Sequence, residues 1–135
     1  MNSDNYINTK FQHLPEVVLE EHFHNLFKEF IEVSSSLNEE KQIALLEILG
    51  EKFEKLYDPN KLNLIERKFI PDQLIKLTNF SEIKRICELT GLMFAFNVNS
   101  YYDFLQDSLK TKHMTLKVRK EIAESIEEYK KTNFS

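Results

Sequence analysis

The sequence predicts an all-α fold, a compact single-domain bundle of five to six helices. Three observations point there. Apolar residues recur three and four apart along most of the chain, which is the helical period. The strict alternation that a half-buried strand requires is almost absent. Two glycines and three prolines in 135 residues leave little punctuation for the many tight turns of a sheet protein.

The first helix is expected from about Pro15 to Val33. Proline suits a first turn because its missing N–H has no intrahelical partner there. Leu19, Phe23, Leu26, Phe27 and Phe30 make one stripe, with Glu16, Glu20, Glu21, Lys28 and Glu29 on the wet side. "SSSLN" then breaks the pattern. A second helix, about Glu39 to Tyr57, has Asn38 or Ser36 available to accept from free N–H groups of its first turn. Its stripe is Ile43, Leu46, Leu49, Phe53, Leu56 and Tyr57. Gly50 lies within it and costs about 1 kcal/mol relative to alanine. "DPN" at 58–60 ends it.

A third helix, Leu62 to Phe69, is expected to stop because Ile70 precedes a proline and is pushed away from helical geometry. A fourth restarts at Pro71 and turns Leu74, Ile75 and Leu77 inward. A fifth follows Ser81 with Ile83, Ile86, Cys87 and Leu89, then enters Leu92 to Val98. That run is apolar almost all round and should be buried on most sides. Ser100 with Asp103 resembles a capping box and places a short helix from Tyr101. Tyr101 and Tyr102 are neighbours and cannot share a face, so one is expected outside. The last helix begins after Thr115 and turns Val118, Ile122, Ile126 and Tyr129 inward. The organisation expected is a tail over 1–14, a helical domain over 15–131 and a short tail over 132–135.

Composition bounds the function. The chain is 41% hydrophobic and 30% charged, which is globular material. A single cysteine rules out an intramolecular disulfide and suits a reducing compartment. The N-terminal residues lack a basic region followed by an apolar run. No stretch approaches the roughly 20 apolar residues of a membrane span. A cytoplasmic protein without a membrane partner is expected. Net charge is -4, unevenly spread: residues 1–60 carry 5 Lys and Arg against 12 Asp and Glu, and residues 61–135 carry 13 against 10. Such asymmetry can steer a charged partner, or a second copy of the chain in a homodimer.

Chemical motifs are sparse. Glu20, Glu21 and His24 share a helix face at three- and four-residue spacing, but the second Glu-x-x-His of a di-iron bundle is missing, so no metal is expected. Cys87 has no histidine near it in sequence and reads as core filler. Glycines only at 50 and 91 cannot build a phosphate loop, and no cofactor is expected. "ICELTGLMFAFNVNSYYDFL" superficially resembles a helix-turn-helix through Cys87 and Gly91. Its turn is too apolar, and Asp103 and Asp107 stand where phosphate-binding cations belong. The basic cluster comes later: Lys110, Lys112, His113, Lys117, Arg119 and Lys120. Lys117, Arg119 and Lys120 sit in the opening turns of the last helix, where cations oppose the macrodipole. A local rule broken this way marks a candidate site for an anion or an acidic partner.

With no catalytic constellation, the expectation is a non-enzymatic protein that binds another protein stoichiometrically, as inhibitors, immunity proteins and adaptors do. The expected contacts are Glu16, Glu20 and Glu21 toward a basic partner, with Tyr101 and Tyr102 as aromatic anchors. Two alternatives stand beside it. One is a nucleic-acid-associated regulator using residues 110–120. The other is a ligand-sensing bundle with Leu92 to Phe96 around a cavity.

Overall fold

The computed structural model describes residues 19–56 and 61–134. Within them the chain is all-α, with six α-helices: α1 Glu20–Val33, α2 Glu39–Glu54, α3 Leu64–Leu77, α4 Ile83–Phe96, α5 Asn99–Thr111 and α6 Leu116–Phe134. Contacts divide the chain into two compact units, with the boundary between Phe69 and Ile70. Each is described in turn.

The first unit is built on phenylalanine. Phe23, Leu26, Phe27 and Phe30 recur at helical spacing along α1 and are all buried. Phe27 meets Phe23, Phe30 and Phe69 edge-on at centroid distances of 5.8, 6.2 and 6.2 Å. Edge-to-face rings set the positive rim of one against the negative face of the next. Leu19, expected in this stripe, is instead extended and 81% exposed, because it precedes the helix. A 3-10 turn, Ser34–Ser36, links α1 to Leu37. Asn38 caps α2 by accepting from the Lys41 N–H at 2.8 Å, as its spacing predicts. Gln42 locks the same corner by donating to the Leu37 carbonyl at 2.8 Å. Ile43, Leu46, Leu49, Phe53 and Leu56 are buried, while Tyr57 lies outside the described residues.

One helix replaces the expected third and fourth: α3 runs through Pro71 without a break. Proline there removes the N–H that the Arg67 carbonyl would accept from, at a cost of about 3 kcal/mol. On either side of the proline, Ile70 before it and Leu74 and Leu77 after it are buried at 1%, 0% and 2% exposure. Each such side chain contributes roughly 1.5–3 kcal/mol, enough to offset the break.

In the second unit, α6 packs against both α4 and α5, and α4 against α5. Val118, Ile122, Ile126 and Tyr129 of α6 are buried, as their spacing predicts. α4 passes through Gly91 without a turn, so the turn that a helix-turn-helix would place at that glycine is absent. It ends at Asn97, which adopts the left-handed conformation at φ 55°. Val98 N–H then reaches back to the Met93 carbonyl at 3.0 Å, and Asn97 N–H to Phe94 at 3.4 Å. This is a Schellman ending with asparagine in glycine's usual place. α5 consequently starts at Asn99, with no side-chain cap, rather than at Tyr101 behind Ser100. Likewise α6 extends to Phe134, past the expected end at residue 131, and the Phe134 ring packs 5.3 Å from Tyr102.

Candidate partner-binding faces

The acidic face expected on the first helix is present in part. Glu20 and Glu21 are exposed in the first turn of α1, where carboxylates also complement the macrodipole. Glu16 lies outside the described residues. Further along α1 lies an open groove of about 420 Å³ lined by His22, Asn25, Leu26, Lys28, Glu29 and Glu32. These positions recur three and four apart, so one helical face supplies them. The unit that holds them is acidic: the chain up to Phe69 has 8 Lys and Arg against 13 Asp and Glu.

His24 does not belong to that open face. Its Nδ1 donates to both carboxylate oxygens of Glu66, at 2.9 and 2.8 Å, while Nε2 lies 3.5 Å from Glu20. Glu66 is buried at 1% exposure. It also accepts the Asn63 N–H at 3.1 Å, and Asn63 Oδ1 accepts the Glu66 N–H at 2.9 Å. This reciprocal pair is a capping box at the start of α3. A buried carboxylate thus closes a helix end and pins α1 to it. The signal was in the sequence, Asn63 followed three residues later by glutamate; its histidine partner was not. Among the described residues no three His, Cys, Asp or Glu side chains gather as metal ligands.

The two tyrosines proposed as aromatic anchors are core residues. Tyr101 is 0% exposed and Tyr102 6%. Tyr101 stacks on Phe104 at 5.7 Å, and its hydroxyl lies 2.8 Å from Thr78 Oγ1. Thr78 already donates to the Leu74 carbonyl, so Tyr101 is the donor of that pair. Tyr102 stacks on Tyr129 at 5.1 Å. Neighbouring residues point to different sides of a helix, and here α5 is covered on both. Neither ring is available to a partner.

The basic cluster divides in two. Lys110, Lys112, His113, Lys117 and Lys120 are exposed. Arg119 is not free: its guanidinium donates to the Leu109 carbonyl at 2.6 Å and the Lys112 carbonyl at 3.2 Å. Those carbonyls close the C-terminal end of α5, where a cation is favourable. The arginine that seemed misplaced at one helix start therefore serves the end of another. Thr115 caps α6 by accepting the Val118 N–H at 3.3 Å. Lys120 lies 4.0 Å from Glu124, an exposed pair of small energetic weight.

Cys87 is exposed rather than buried in the core. Its thiol is nevertheless held above the ordinary range, first by local desolvation, then by the charge and hydrogen bond of Glu121 and the charge of Glu88, with Lys117 opposing. A protonated thiol is a poor nucleophile.

No family model, curated protein or solved structure matches the chain. Among the described residues no helix is long and apolar enough to cross a membrane.

Proposed function

We propose that this chain acts by stoichiometric binding to another protein, as an inhibitor, immunity protein or adaptor does, and not by catalysis. The carrying observation is α1, where Glu29 and Glu32 border the open groove beside His22 and Lys28, and where Glu20 and Glu21 stand exposed in the first turn, Glu21 toward the groove side and Glu20 toward His24. A polar groove with a carboxylate rim suits the lysine and arginine side chains of a basic partner, and its field would speed encounter. Side chains with chemical potential support the same reading: His24 is clamped by Glu66, and the Cys87 thiol is kept protonated. The exposed free thiol suits a reducing compartment, and we assign the cytoplasm.

The test is affinity capture of the tagged chain from its native cell, followed by titration calorimetry with whatever co-purifies. One basic protein in one-to-one ratio is expected. Replacing Glu20, Glu21 and Glu32 together by lysine should weaken it by roughly tenfold or more, with each tenfold worth about 1.4 kcal/mol. A partner bound equally well by the charge-reversed chain would sink the α1 assignment. Recovery of no stoichiometric protein would sink the class.

A further inference from the structure

We propose that the corner between α5 and α6 is a second docking surface, one that fits an acidic polypeptide segment carrying apolar side chains. It does not rest on the reading of α1. Three observations carry it. Lys110, Lys112, His113 and Lys117 are exposed along this corner, Lys117 near Glu121 and Glu88 around Cys87, with Lys120 one turn on and partly offset by Glu124. Leu116, set among them, is 84% exposed. The periodicity of α6 explains why: Val118, Ile122, Ile126 and Tyr129 are buried, and Leu116 lies about 200° round the helix from Val118. The corner is also pre-formed. Arg119 ties the Leu109 and Lys112 carbonyls to α6, and Thr115 caps that helix, so the connection between the helices is held at both ends. Pre-organisation lowers the entropic cost of docking.

The chemistry of the patch selects the partner. An exposed apolar side chain flanked along the chain by exposed cations matches the usual make-up of a protein contact, a desolvated centre with a charged rim. Nucleic acid fits less well. The cluster's one guanidinium, the group best shaped to fork onto phosphate, is spent on carbonyls. Residues 110–120 contain no Phe, Tyr or Trp and only the His113 imidazole as a ring for a base, and an exposed leucine gains nothing against a phosphate backbone. Charge complementarity therefore points to carboxylates, and Leu116 to apolar side chains among them.

The experiment uses the full chain and fluorescence anisotropy with four probes. They are a labelled peptide alternating Glu with Leu, an all-Glu peptide of equal length, a random duplex of about 20 base pairs, and phosphatidylserine vesicles. The mixed peptide is expected to bind at about 50 mM salt and to weaken markedly by about 300 mM, because exposed charges are screened. Lys112→Glu with Lys117→Glu should weaken it about tenfold or more, and Leu116→Ser about tenfold. Leu116→Ser should leave the all-Glu peptide unaffected. All three positions are exposed, and an unchanged thermal melt shows that the variants fold. Three results would each overturn the proposal: no binding of the mixed peptide at low salt, tighter binding of duplex or vesicles than of the mixed peptide, or indifference of the mixed peptide to Leu116→Ser.

Discussion

Both units pack phenylalanines, and the second, among the described residues, also buries tyrosines. The first gathers Phe23, Phe27, Phe30, Phe53 and Phe69, rings that bring no polar atom inside. The second buries Tyr101 and Tyr129 completely, and each brings a hydroxyl that must be paired. Thr78 receives the first and Asn99 the second. A phenylalanine cluster asks only for volume and ring geometry. A tyrosine core also asks for one specific partner per ring, 23 and 30 residues away in these two cases. The first kind of core fails by losing volume, the second by losing volume, a hydrogen bond, or the proton that makes the bond.

The largest break should come in the first unit. Phe27 is fully buried and edge-on to three other rings. Phe27→Ala leaves a cavity where those rings met and should cost about 3–5 kcal/mol, read from urea denaturation. A loss below about 1 kcal/mol would mean that the cluster collapses around the gap and is not the unit's core.

The second unit should instead break with alkali. Desolvation pushes the Tyr101 hydroxyl up to about 12, against an ordinary value of 10.0, and the Thr78 hydroxyl beside it only partly opposes this. Tyr129 is also raised to about 12, by desolvation and by the charges of Asp103 and Tyr102. A raised folded-state value means that the neutral form is favoured in the fold. The associated stability is complete below pH 10 and is lost as pH rises from 10 toward 12. For Tyr101 it amounts to roughly 2–3 kcal/mol. Tyr101→Phe with Tyr129→Phe should flatten the fall in urea midpoint across that window. At neutral pH the same pair should lose about 1 kcal/mol per hydrogen bond. An alkaline profile identical to that of the unsubstituted chain would remove the tyrosines from the explanation.

This contrast also explains what was legible in the sequence. Helical period and the phenylalanine stripe of α1 were readable because both depend on neighbours three and four residues away. Asn38 was readable as a cap for the same reason. The tyrosines were misplaced because adjacent residues face different sides of a helix, and the elements that cover α5 on both sides are not visible in its own spacing. Arg119 looked costly at a helix start because the carbonyls it serves belong to α5. His24 was read with Glu20 and Glu21 on its own helix, whereas its short hydrogen bonds go to Glu66 on another. Pro71 ended a helix in the sequence reading because local rules ignore the burial of Ile70, Leu74 and Leu77. Of the candidate faces, the exposed lysines and carboxylates were legible as charge. The groove on α1 and the exposure of Leu116 were not.

Away from both cores the effects should shrink and change sign. Gly91 lies on the exposed side of α4, and a Cβ built there would meet nothing within 4 Å. Its backbone is helical, so alanine fits without strain. Gly91→Ala should stabilise the chain by about 0.5–1 kcal/mol through a less disordered unfolded state. A loss of stability would show that α4 is more closely approached at this point than its exposure indicates.

The smallest effect should come at Cys87, which separates side chains that hold a core from one that only stands beside it. The thiol is exposed, so Cys87→Ser should shift stability by no more than about 0.5 kcal/mol. Its reactivity carries the information. Glu121 and Glu88 add negative charge beside a thiol that local desolvation already keeps protonated, and Lys117 offsets them only in part. Alkylation by iodoacetamide near pH 8 should therefore run slower than for a free cysteine, despite full access. Glu121→Gln removes the main opposing charge and should bring the rate up, while Lys117→Gln should lower it further. A rate matching the free thiol in all three proteins would show that the carboxylate does not govern this cysteine.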